Sequence, residues 1–146
     1  EMQRSLVGSE MCIRDSLYHY RRDGSSSVTS GYNPRLYDQW QTLYDRMEAI
    51  IRSNQLGSEY EAALNNRIAL GILGLGLNIT VSTQSMGKKV KDIRRIIRQE
   101  RYRKAYKNLP LNYFPIHWKL FYGCAKHGFA FGVYALLTVI QRIISR

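Results

Sequence analysis

The residues of this chain best suited to chemistry stand together at positions 17–27, Leu-Tyr-His-Tyr-Arg-Arg-Asp-Gly-Ser-Ser-Ser. Tyr18 and Tyr20 alternate as the side chains of an extended strand do, pointing to opposite faces in turn. Arg21 and Arg22 follow at once, then the turn-forming pair Asp23-Gly24 and a serine-rich stretch. Arginine presents a planar fork of donors that matches phosphate oxygens. An aromatic strand ending in two arginines and a polar loop therefore suits an anionic, phosphate-bearing ligand, and Tyr18, Tyr20, Arg21 and Arg22 are its candidate contacts. The plainer reading is that Arg21 and Arg22 pair with acids on a neighbouring helix.

The same residues carry a family resemblance. Positions 18–25, with Tyr-x-Tyr-Arg followed by Gly-Ser, resemble a segment of family-2 bacterial glycosyltransferases. In that family the segment lies just after the catalytic nucleotide-sugar domain, at the start of a helical tail, and the resemblance runs on through such a tail to about Ile140. It implies a parent enzyme that transfers a sugar from a nucleotide-sugar donor to a cell-surface polysaccharide or lipid-linked glycan. It also implies a divalent metal (Mg or Mn) bridging the donor diphosphate, an upstream Asp as base, and Tyr18, Tyr20, Arg21 and Arg22 lining the donor side. This sequence has no Asp-x-Asp motif and no Glu-Asp pair of the kind that supplies the base. The expectation is a fragment with no complete catalytic domain, no catalytic residue and no cofactor of its own, inactive in isolation.

Positions 5–16 resemble something else: one reading frame of a transposase adapter used in preparing DNA sequencing libraries. Positions 11–15 back-translate to the adapter's mosaic end, and the adapter's last two bases restrict the next codon to Ser or Arg, which Ser16 obeys. The expected organisation is an adapter-derived segment at 1–16, the strand and loop closing a catalytic domain at 17–31, and a helical tail at 32–146. Such a scar is left out of fold reasoning, and Cys12 with it.

The elements that must hold this segment read as helices. The chain has 146 residues, enough for one domain, and is 45% hydrophobic. Asn33-Pro34 resembles an N-cap with Pro at the first helical position. Leu36, Trp40, Leu43, Met47 and Ile50 then form one face of an amphipathic helix over about 34–55, ended by Leu56-Gly57. Ser58 and Glu61 have the spacing of a capping box for a second helix, whose apolar face begins with Tyr60, Leu64 and Ile68. Gly71, Gly74 and Gly76 point to close helix packing or to a break near Asn78. The run Gly71-Ile72-Leu73-Gly74-Leu75-Gly76 echoes a phosphate-binding loop, but lacks the preceding strand and fresh helix that such a loop needs. The fold class is mostly α, with three to four amphipathic helices, loosely packed, after a short N-terminal strand and loop.

Charge narrows the partner. The formal net charge is +11, which calls for an anionic partner such as nucleic acid, phosphate ligands or an acidic membrane surface. Positions 85–107 hold ten cations against Asp92 and Glu100. Val90, Ile93, Ile96 and Ile97 still give that stretch an apolar helical stripe. Tyr102 and Tyr106 interleave with the cations, as aromatic side chains do in nucleic-acid grooves, while a basic amphipathic helix equally fits a membrane surface. The plain alternative is a solvated face of a bundle helix.

Pro115 can open a last helix carrying Trp118 and Tyr122, whose rings suit the headgroup level. The fifteen uncharged residues at 127–141 fall short of the roughly 20 needed to span a bilayer, so this helix is expected in the interface or on the bundle. The candidate membrane-surface residues are Lys88, Lys89, Arg94, Arg95, Arg98, Trp118 and Tyr122. His117 and His127 have no acidic or Cys partner for a metal site, and Cys124 reads as a small core residue.

Two classes of function follow. One is the tail of a glycosyltransferase, cytoplasmic and peripheral at the inner face of the cell membrane, with a nucleotide-sugar donor and a glycan or lipid-linked acceptor as the parent's partners. The other is a small basic helical module that binds nucleic acid or an anionic membrane surface.

Overall fold

The computed structural model describes residues 31–144. Tyr18, Tyr20, Arg21 and Arg22, with the expected strand and loop, lie outside the described residues. Six α-helices and one 3₁₀ turn follow one another: α1 Leu36–Ser53, α2 Ser58–Thr80, α3 Met86–Ile97, α4 Glu100–Lys107, the 3₁₀ turn Leu111–Tyr113, α5 Ile116–Lys126 and α6 Ala130–Ile144. The described residues are thus mostly helical, and no strand occurs among them.

The hub is α2, which packs on α1, α3, α4 and α6. Its glycines set how close the neighbours come. A Cβ at Gly74 would lie 2.8 Å from the Trp40 ring, and one at Gly71 would lie 2.9 Å from that ring and 2.5 Å from the Tyr44 hydroxyl. A Cβ at Gly76 would run into Leu137 of α6. The glycine run is therefore a packing device that gives up helix propensity for close approach, and α2 does not break at Asn78. That side chain instead closes a two-way amide lock. The Asn33 backbone N–H donates to Asn78 Oδ1 and Asn78 Nδ2 donates to the Asn33 carbonyl, each at 2.8 Å. α2 is also the one described helix long and apolar enough to cross a membrane.

Two long stretches that read as single helices are each split, which raises the helix count from the expected three or four to six. The first split is at Arg98-Gln99. Gln99 is extended, with ψ 146°, and its side chain accepts a hydrogen bond from the Tyr37 hydroxyl at 2.5 Å. An unbroken helix continuing the phase of Ile93 and Ile97 would carry Glu100, Arg101 and Lys104 inward. The break resets the phase so that Tyr102, Ala105 and Tyr106 face the core.

The second split is at Gly128, whose φ is +72°. Its N–H donates to the Ala125 carbonyl at 3.0 Å and the Phe129 N–H donates to the Cys124 carbonyl at 2.8 Å. This is a Schellman stop, for which glycine is the favoured residue.

Other boundaries shift as well. α1 does not bury the Leu36–Trp40–Leu43–Met47–Ile50 face intact. Leu43, Met47 and Ile50 are exposed and Tyr44 is buried, because α1 meets α2 along Trp40 and Tyr44. α1 ends in another Schellman stop, with Gln55 at φ 49° in the left-handed position. Gly57 serves instead as the N-cap of α2; Ser58 is its first residue, no side chain caps this end, and Tyr60 is exposed.

The core is continuous. Tyr44, Ile72, Ile93, Tyr102, Phe121 and Leu137 are among its fully buried members. Most of the large apolar side chains left uncovered lie on the outer faces of α1, α5 and α6 and in the segments beside them, with Tyr60 and Leu70 on α2 and Met86 at the start of α3.

Candidate functional site

The cations of α3 and α4 divide by role. Lys89 Nζ donates to the Thr80 carbonyl at 2.8 Å, so it satisfies the C-terminal end of α2, where a positive charge is favoured. Arg101 is drawn to α1, donating to Gln41 Oε1 at 2.9 Å and pairing with Asp45 and Glu48. Lys88, Arg94, Arg95 and Arg98 are exposed, and none of the four has an ion-pair partner among the described residues. With Lys91, which is exposed as well, these four form the open cationic surface of α3 and its end.

The aromatic residues interleaved with these cations point the other way. Tyr102 is 0% exposed and Tyr106 is 2% exposed, so neither offers a ring for a base to stack on. The Gln41 amide donates to the Tyr102 hydroxyl at 3.3 Å, whereas the Tyr106 hydroxyl is buried without a partner, as is that of Tyr44. Burial pushes the Tyr44, Tyr102 and Tyr106 hydroxyls above the usual phenol range. The three side chains are parts of the core between α1, α2 and α4.

Trp118 and Tyr122 also turn inward. Tyr122 is 3% exposed and sits 5.4 Å, centroid to centroid, from Phe114 and 5.0 Å from Phe121. Trp118 is half-buried against Phe121 and Tyr122, at 6.0 and 6.1 Å. Neither ring can lie at a headgroup level while its helix is packed here. The large apolar residues that do face outward on α5 are Ile116 and Leu120, with Tyr113 just before them. Sequence reading passed over these because the aromatic residues drew the assignment, although Ile116 and Leu120 are four apart and Trp118, Tyr122 and Ala125 define the opposite face.

The remaining chemical groups do not assemble into a centre. Cys124 is a free thiol, half-buried, beside Phe129 and Gly132. His117 stacks near Trp118 at 5.4 Å, and both it and His127 are solvent-facing. No three of His, Cys, Asp and Glu come together among the described residues, which therefore offer no ligand set for a divalent ion. An apolar hollow of about 420 Å³ lies between the end of α1 and the start of α2, lined by Met47, Ile50, Leu56, Tyr60 and Leu64 with Arg67.

No family model, no curated protein and no solved structure matches this chain.

Proposed function

We propose that this chain is the helical tail of a glycosyltransferase that moves a sugar from a nucleotide-sugar donor to a cell-surface polysaccharide or lipid-linked glycan, and that the tail holds the enzyme on the anionic inner face of the cell membrane. The transferase part of the reading rests on the likeness at positions 18–25, which implies a helical tail after the motif; residues 36–144 are mostly helical. Tyr18, Tyr20, Arg21 and Arg22 would line the donor, with the divalent metal and the base supplied by an upstream domain. Cations near the diphosphate would stabilise charge on the leaving group.

One observation carries the choice of membrane over nucleic acid. Tyr102 and Tyr106, the rings that interleave with the exposed cations Lys88, Arg94, Arg95 and Arg98 in the sequence, are in the core and offer no face to stack on, and Tyr32, in the hollow beside Arg95, is an exposed ring at one edge of this surface. What is left is a cationic surface of the kind that anionic headgroups attract.

Two measurements test the reading. Vesicle co-sedimentation and a nucleic-acid gel shift, each across a salt series, should show binding to phosphatidylglycerol vesicles and little retention of single-stranded RNA or DNA. The reverse pattern selects the nucleic-acid module. For the transferase, the natural locus should encode a nucleotide-sugar domain with an Asp-x-Asp motif upstream of Leu17, and the chain alone should transfer no sugar. An open reading frame that starts close to Leu17, or turnover by the isolated chain, would sink it.

A further inference from the structure

We infer that the outer face of the α5–α6 hairpin inserts among the headgroups of an anionic bilayer. This rests on the membrane reading above and adds to it the side chains that enter the lipid. On α5, Ile116, Leu120 and Gly123 recur at spacings of four and three, on the side opposite Trp118, Tyr122 and Ala125. Ile116 is 84% exposed and Leu120 57%. Gly123 opens to empty space, since a Cβ there would meet nothing within 4 Å. On α6, Phe131 and Val139 face out while Ala130, Val133 and Leu137 are buried. Each helix therefore buries one apolar face in the bundle and leaves a second uncovered.

Charge selects what covers the second face. No Asp or Glu follows Glu100 in the sequence, so neither helix carries an acid. Lys119 and Lys126 are exposed and seven residues apart, which places them along one flank of the α5 stripe. Their long stems can lie on the apolar stripe while the ammonium groups reach lipid phosphates. A second copy of the chain would instead bring two cation-only faces together. At 11 and 15 residues, α5 and α6 are about 16 and 22 Å long, short of the roughly 30 Å hydrocarbon core. They would lie in the interface plane, and insertion plus cationic attraction gives the two contributions that stable peripheral attachment needs.

The test is co-sedimentation of the whole chain with phosphatidylcholine vesicles, with and without phosphatidylglycerol. The pair Ile116→Asp and Leu120→Asp should weaken binding to the anionic vesicles by about tenfold per residue, with far-UV circular dichroism unchanged because both side chains face outward. Lys119→Ala and Lys126→Ala should each cost about fivefold at low salt. The pair Met47→Asp and Ile50→Asp, in the α1–α2 hollow, should leave binding as it was. Fluorescence of an Ile116→Trp variant should be quenched by bromine-labelled acyl chains.

If the chain binds anionic vesicles and the Ile116→Asp/Leu120→Asp variant binds as well, the hairpin assignment falls while the membrane reading stands. If the unaltered chain binds no anionic vesicle, both fall. Equal, salt-insensitive binding to pure phosphatidylcholine overturns the charge argument. A dimer in free solution that the same Asp pair dissolves would assign this face to a second copy.

Discussion

Two helical hairpins of this chain, α1–α2 and α5–α6, close with the same Schellman turn and leave the same kind of surface, yet they differ in charge. In α1–α2 the uncovered apolar side chains include Leu43, Met47, Ile50 and Tyr60, and Asp38, Asp45, Glu48, Glu59 and Glu61 lie on the same two helices. In α5–α6 they include Ile116, Leu120, Phe131 and Val139, with cations alone beside them. Apolar exposure by itself says only that something is missing. The charge around it says what kind of thing, and here it points only the second hairpin toward an anionic surface.

The largest expected difference between them is in alkali. Tyr44 and, from α4, Tyr102 and Tyr106 build the core beside the first hairpin, while the second contributes Tyr122. Burial raises all four hydroxyls above their ordinary value of 10.0. A raised phenol keeps its proton in the folded chain after the unfolded chain has lost it. Stability is therefore full below about pH 10 and falls as pH rises from there toward the folded values. Helix content should collapse together with the ionisation of these four tyrosines. Tyr106→Phe removes a buried hydroxyl with no partner and should move the transition to higher pH. Ionisation of these tyrosines with the helical signal intact would show that the first hairpin's core is open to water.

Glycines sharpen the contrast next. Gly71→Val forces atoms into the space held by Trp40 and the Tyr44 hydroxyl, and overpacking there should cost about 3 kcal/mol. Gly123→Ala adds a methyl group where nothing lies within 4 Å, and helix propensity should make it more stable by up to about 1 kcal/mol. Urea unfolding followed by circular dichroism reads both. Equal effects at the two positions would mean that α1 does not seat on α2 as described.

These cases show what was legible in the sequence. The helical character and the extent of α1 to within two residues at each end follow from the apolar spacing with the Asn33-Pro34 and Leu56-Gly57 signals, whereas the glycines of α2 were compatible with close packing or a break near Asn78, and the structure shows packing. The face that α1 buries was not legible, because Leu43 and Tyr44 are both apolar enough to read as core and only the position of α2 decides between them. The two missed breaks did leave traces. The apolar stripe slips in phase between Ile97 and Tyr102, and Lys126-His127-Gly128 is a helix stop. Of the expected surface residues, Lys88, Arg94, Arg95 and Arg98 face solvent, whereas Lys89 is spent on the end of α2, and Trp118 and Tyr122 pack inward. An amphipathic ring gives no sign of which face of a helix will be covered.

The turns allow a direct exchange. Both hairpins need one residue with positive φ, filled by Gln55 at 49° and by Gly128 at 72°. Only glycine takes up that conformation without strain. Gln55→Gly should stabilise the chain by about 1 kcal/mol and Gly128→Gln should destabilise it by about as much. Thermal unfolding would show the two shifts in opposite directions. Shifts of the same sign would mean that one of the turns is not closed in solution.

The smallest effect tests whether the first hairpin's acids are already engaged. Arg101 reaches from α4 to Gln41, Asp45 and Glu48 of α1. Partial burial works against its charge, but the hydrogen bond to Asp45 and the field of Glu48 outweigh that and hold the guanidinium more firmly protonated than usual. The Asp45 side chain is 64% exposed, so solvent and salt screen the pair, and Arg101→Met should cost only about 0.5 kcal/mol. That loss should shrink as salt is added. Vesicle binding should hold if Asp45 and Glu48, once released, stay on the far side from the lipid. A marked fall in vesicle binding would place the α1 acids against the headgroups, and the division of labour between the hairpins would then be wrong.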